Sequence, residues 1–149
     1  MVHRGFQVRS LGEVVIRTNR IVPMLSFYRD ILGLVLWTEK TQRGTYVFSL
    51  GESGSAHGTT LVLHDAKLHS QNFLGNRNRS FSSSLHHIAL NLPADEIVAA
   101  RRWLEVNGLD YRVKELPLKG ANGIFVNDPD GNTVELVSQG PALQPLENS

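Results

Sequence analysis

The chain contains no cysteine, so disulfides and thiolate metal sites are excluded, and any bound metal must be held by histidine and carboxylate. No apolar run approaches the roughly 18 residues a membrane helix needs, and the first residues hold no leader-like apolar stretch. Charge of one sign is missing too. Fifteen basic residues face 14 acidic ones for a net charge of +1, and no basic run exceeds two residues. Neither nucleic acid nor a membrane surface is therefore an expected partner. These absences fit a cytoplasmic protein. What is present is ordinary globular material: 149 residues, 41% apolar and 19% charged, which suffices for one domain with a real core.

Periodicity sets the order of elements. Residues 1–10 read as a polar lead-in. Residues 11–18 (LGEVVIRT) have the β-branched content of a strand, and a period of two puts Glu13, Val15 and Arg17 on one face. Asn19 stands as helix N-cap and Pro23 in the first turn. Met24, Phe27, Tyr28 and Ile31 recur at helical spacing, and Gly33 follows at the C′ position. Three strands are expected at 34–39, 44–50 and 59–64, with a Gly/Ser-rich hairpin loop at 51–58. Residues 66–84, rich in Ser, Asn and Gln, read as a linker.

The pattern then restarts. Residues 85–92 read as a strand, and Pro93 opens a helix with Asp95 and Glu96 near its N-terminus. Ile97, Ala100 and Leu104 share a face of that helix, Trp103 lies beside them, and Asn107-Gly108 ends it. Strands follow at 111–115, 123–127 and 133–137, and 139–149 is a polar tail. Glu13-Val14-Val15-Ile16 matches His87-Ile88-Ala89-Leu90 at an offset of 74, and Thr60-Leu61-Val62-Leu63 matches Thr133-Val134-Glu135-Leu136 at 73. The chain is an internal duplication of one β-α-β-β-β unit, with module one at about 10–65 and module two at about 85–138 within a single domain.

Register converts the repeat into a candidate site. If Ile88 and Leu90 face the helix, His87 and Ala89 turn the other way, leaving His86 as a rim or packing residue. The same reasoning turns Glu13 inward from the first strand and Glu135 inward from the last. Val62, the equivalent of Glu135, supplies no ligand. Imidazole and carboxylate are donors that divalent metals accept, and three protein ligands with open positions suit a catalytic ion. Glu13, His87 and Glu135 are the expected set. Val15, Val47, Phe48, Val62 and Phe125 are candidate apolar lining.

Four stretches carry a family resemblance: Val14-Val15-Ile16-Arg17-Thr18, Phe27-Tyr28-Arg29-Asp30-Ile31-Leu32-Gly33-Leu34, Leu85-His86-His87-Ile88-Ala89, and Asp128-Pro129-Asp130-Gly131-Asn132 with Glu135-Leu136. Over about residues 10–138 the chain resembles the vicinal oxygen chelate superfamily of glyoxalases, fosfomycin-resistance transferases, epimerases and extradiol dioxygenases. The resemblance implies an α+β fold in which two tandem βαβββ modules form a half-open mixed β cup with helices outside. It also implies a divalent metal, with His87 and Glu135 at the usual second-module ligand positions.

The segments around Arg17 and His87 look most like single-domain relatives of the ring-cleaving dioxygenases, which carry His where this chain has Glu13. Two histidines and one carboxylate leave a divalent iron with a charge of about +1, whereas a second carboxylate cancels it. Glu13 is therefore ligand, base, or a sign of a decayed site. The leading expectation is an extradiol-type dioxygenase with Fe2+ or Mn2+ acting on a small oxygenated substrate, assisted by Arg17 or His64. The alternative is a glyoxalase- or epimerase-like lyase or isomerase with Zn2+, Ni2+ or Co2+, in which Glu13 or Glu135 moves a proton. A bleomycin-resistance-like binding protein is the third reading, and such two-module chains commonly form homodimers.

Overall fold

The computed structural model of the 149-residue chain describes residues 4–5, 11–51, 58–68, 85–116 and 121–138. The expected 51–58 loop is described only at its ends, and most of the 66–84 linker and all of the 139–149 tail lie outside the described residues. The fold is α+β, with two βαβββ modules in tandem, each carrying a four-stranded mixed sheet. The chain divides into two compact units, Met1–Phe73 and Leu74–Ser149, with one module in each. Among the described residues no helix is long and apolar enough to cross a membrane.

In the first unit, β1 (Glu13–Thr18) leads to α1 (Ile21–Leu25), which widens into a π-helical turn (Ser26–Ile31). Strands β2 (Val35–Leu36), β3 (Thr45–Ser49) and β4 (Thr60–Asp65) follow, in the sheet order β1-β4-β3-β2. Only β1 and β4 are parallel. The apolar residues at helical spacing do form the buried face: Met24, Phe27 and Tyr28 are fully enclosed, as are Phe48, Leu61 and Leu63 of the sheet. The helical segment ends where Leu32 N–H donates to the Phe27 carbonyl at 2.9 Å and Gly33 takes a φ of 72°, a left-handed turn that glycine adopts without steric cost.

Helix initiation differs from expectation. The cap position is Arg20 rather than Asn19, and no side chain caps it. Instead the buried Thr18 hydroxyl, at the end of β1, accepts the Arg20 N–H at 2.9 Å and turns the chain into the helix.

The second unit repeats the plan with β5 (Ile88–Leu92), a 3₁₀ turn (Ala94–Glu96), α2 (Ile97–Val106), β6 (Tyr111–Leu116), β7 (Ala121–Asn127) and β8 (Thr133–Ser138). Its sheet order is β5-β8-β7-β6, again with only the first pair parallel. Leu104 of α2 is buried, as are Ile124, Val126, Val134 and Leu136. Trp103, expected beside that core, is half exposed, and β5 begins three residues later than the apolar pattern alone implies.

The duplication holds at the level of single residue pairs. Val14 lies opposite Leu61 as Ile88 lies opposite Val134, and Val15 opposite Val62 as Ala89 opposite Glu135. Val47 faces Val62 as Phe125 faces Glu135. Residues directly opposite share a sheet face, which fixes what each face carries. In the first unit Val15, Val47 and Val62 share one face, while Phe48 pairs with Leu61 on the other. The expectation that both Val47 and Phe48 line a pocket is thus corrected, because neighbours along a strand point to opposite sides.

Candidate metal centre

The polar face of the second sheet is built around a turn. Asp128, 4% exposed, accepts the Asp130 and Asn132 N–H groups on one carboxylate oxygen at 3.0 and 2.9 Å, and the Asn132 side-chain amide on the other at 2.8 Å. Gly131 closes the turn at a φ of 83°. These bonds start β8 in a fixed register, and Glu135 follows three residues on from Asn132. Replacing Asp128 with Ala removes three bonds to one carboxylate and is expected to cost about 2 kcal/mol, seen as a melting midpoint lower by about 4–8 °C. An unchanged midpoint would mean that the backbone bonds of the turn suffice alone.

Register places Ala89, Glu135, Phe125 and Arg112 in one row on one face. Glu135 is 3% exposed, and its Oε2 lies 3.0 Å from His87 Nε2. Its other oxygen, Oε1, is buried without a hydrogen-bond partner. It fits there only because residue 123 is glycine: a Cβ on Gly123 would lie 2.6 Å from that oxygen. His87 in turn packs edge-on against Phe125, with ring centroids 5.9 Å apart.

His86 also enters the arrangement, contrary to its reading as a rim residue. Its Nδ1 lies 2.8 Å from His87 Nδ1, so one of the two nitrogens carries the proton. Strand alternation would separate these neighbours, but residues 85–87 precede the ladder and are not bound by it.

The donor chemistry fits a divalent cation. A buried carboxylate with an orphaned oxygen is costly without one. Donors at right angles around an ion with bonds of about 2.1 Å stand about 3.0 Å apart, the separation of His87 Nε2 and Glu135 Oε2. Among the described residues no group of three or more His, Asp or Glu side chains capable of holding a metal is assembled.

Glu13 belongs to the first unit, at the exposed start of β1 opposite Thr60. Arg17 and His64 lie opposite each other on the face that carries Glu13, four residues further along β1, or about 13 Å. His64 Nδ1 is 3.1 Å from the Thr45 hydroxyl. The structure therefore joins His87 to Glu135 and Arg17 to His64, and within the first unit it keeps the latter pair apart from Glu13.

The profile described as the Glyoxalase/Bleomycin resistance protein/Dioxygenase superfamily matches residues 10–136. The chain belongs to that superfamily. A search of curated proteins finds no significant match. Solved superfamily-like structures include a glyoxalase/dioxygenase from Nostoc punctiforme, at TM-score 0.67 and 17% identity over 94% of this chain and 97% of that one. The lactoylglutathione lyase from Agrobacterium tumefaciens gives a TM-score of 0.64 and 19% identity over 87% and 92% of the two chains. The oxidase ChaP-H2 gives 0.60 and 15% over 90% and 96%. At such identities the likeness is one of fold. The superfamily spans lyases, oxidases and resistance proteins, so membership leaves the reaction of this chain to its own residues.

Proposed function

We propose that the protein is a metal-dependent superfamily enzyme in which His87 and Glu135 hold a divalent ion. The observation that carries this reading is the buried Glu135 carboxylate, with one oxygen 3.0 Å from His87 Nε2 and the other without a partner. Glu13 is proposed as third ligand, and Arg17 and His64 as groups that assist the substrate. The ion, Fe2+ or Mn2+ in this reading, would supply Lewis acidity toward neighbouring substrate oxygens and a site for dioxygen chemistry. The proposed reaction is an extradiol-type oxidation of a small oxygenated substrate, by a cytoplasmic homodimer.

One feature favours a second reading, a glyoxalase-like lyase or isomerase. Glu13 is a carboxylate where dioxygenase relatives carry His, and it suits proton transfer. Metal analysis of the purified protein with two assays separates the readings. Bound iron or manganese with O2 uptake on catechols supports the oxygenase, while nickel, zinc or cobalt with isomerase turnover supports the lyase. A protein that takes up no divalent metal overturns both.

His86 serves His87 in this reading. With Nε2 of His87 committed to an ion, its proton resides on Nδ1 and is donated to His86 Nδ1, which orients the ring. His86→Phe is expected to weaken zinc binding about tenfold, measured by titration against a chromophoric chelator. Equal affinity in the variant would assign the His86 contact to packing alone.

A further inference from the structure

A cleft of ≈ 670 Å³ lies on the second unit, lined by neither His87 nor Glu135 but by Phe125, the neighbour of both. Phe125 links the two, since it packs edge-on with His87 and also lines the cleft. His86 and Thr133 line it as well, and β6 supplies Arg112 and Lys114. Arg112 stands in the same sheet row as Phe125 and Glu135, and Lys114 opposite Gly123 in the next. Both cations share the face of Glu135. Two strand spacings separate Arg112 from Glu135, or about 10 Å between backbones, within reach of a long side chain and a single-ring ligand.

Both side chains are exposed, and neither has a hydrogen-bond or ion-pair partner among the described residues. Arg101 of the same unit, by contrast, is tied to Tyr111 and Glu105. Asp110 also borders the cleft, so with neutral histidines its formal charge is +1. The volume falls in the range of small-molecule pockets.

We propose that this cleft selects substrates bearing a carboxylate, which Arg112 binds through its planar fork while Lys114 adds charge. The proposal rests on the metal reading above, since it places the rest of the substrate at the His87–Glu135 pair. A planar two-oxygen anion matches the guanidinium geometry better than it matches an ammonium, and Phe125 offers a flat wall for a ring or chain between the two ends. Edge-strand cations also discourage sheet-to-sheet pairing, but that role has no bearing on ligand choice, which makes selectivity the deciding readout.

The probes are catechol and 3,4-dihydroxybenzoate, identical diols that differ by one carboxylate. Their binding to the full-length, zinc-loaded protein is measured by calorimetry. The wild type is expected to bind the carboxylate-bearing diol about tenfold more tightly, and Arg112→Gln to bring the two within about threefold by weakening that diol alone. Arg112→Lys should keep part of the preference. No preference in the wild type, or one that survives Arg112→Gln, overturns the proposal. Zinc uptake is measured first. If there is none, the metal reading falls, and the same pair is compared without metal: a carboxylate preference that Arg112→Gln abolishes still supports the cleft, and its absence overturns the cleft as well.

Discussion

Replacing Glu135 with Met is expected to stabilise the metal-free protein and to abolish metal uptake, two effects of opposite sign from one side chain. The carboxylate is 3% exposed and one of its oxygens has no partner. Burying such an atom costs about 1–3 kcal/mol, and an apolar side chain of similar volume removes that cost without opening a cavity. His87 loses its partner in the variant but keeps a third of its side chain exposed, so water can replace it. In excess chelator the melting midpoint should rise by about 2–4 °C for each kcal/mol gained.

With metal present the order reverses. The wild type gains about 2.7 kcal/mol at a metal concentration a hundredfold above its Kd, while the variant, lacking the buried donor, should bind at least about a hundredfold more weakly and gain little. The two melting curves therefore cross as zinc is added. A Met variant that melts below the wild type in chelator would mean that the carboxylate is stabilised by something other than a cation, and the metal reading would lose its main support.

Gly123→Ala is the second large effect. The new methyl group would stand 2.6 Å from Glu135 Oε1, a clash that something must relieve, and a tight 3.2 Å from the Phe125 ring. The carboxylate must retreat by roughly 1 Å, and it is held in place by burial rather than by slack. Overpacking of this kind costs about 1–3 kcal/mol, and misplacing a donor should weaken metal binding about tenfold or more. A double-mutant cycle isolates the cause. With Val at 135 the obstruction is gone, and Gly123→Ala should become neutral or slightly stabilising, since alanine suits a strand better than glycine. If the alanine costs as much with Val at 135 as with Glu, the clash is with the backbone or Phe125, and the glycine is not there for the carboxylate.

The order of elements and the duplication could be read because both helices and all parallel strand pairs bury one apolar face, and burial leaves a period. His87 has the parity of Ala89, which shares its sheet face with Glu135, and it meets Glu135 although it stands just ahead of the ladder. Alternation gives no guide where the ladder has not begun: it turns His86 away from His87, yet residues 85–87 run outside the sheet and bring the two rings together. Alternation holds at Phe48, which cannot share a face with its neighbour Val47, so a lining that includes both contradicts it.

The role of Gly123 was out of reach because its contact with Glu135 is made across the antiparallel β7–β8 pair, whose register the Asp128 turn sets. A glycine inside the strand stretch Ala121–Asn127 was the available signal, since such glycines mark a close approach. Glu13 is the opposite case. Its place on β1 is what the periodicity said, but a donor role depends on more than the strand that carries it.

The matching ladders of the two sheets have an engineering corollary. Thr45 occupies in the first sheet the station that Gly123 occupies in the second, and Val62 that of Glu135. An acidic residue grafted at 62 alone would thus collide with a β-branched neighbour. Copying the chemistry of one half onto its twin takes a coupled exchange at 45 and 62, with imidazole at 13. The emptiness of one backbone position is as much a part of the inherited pattern as the groups that fill the others.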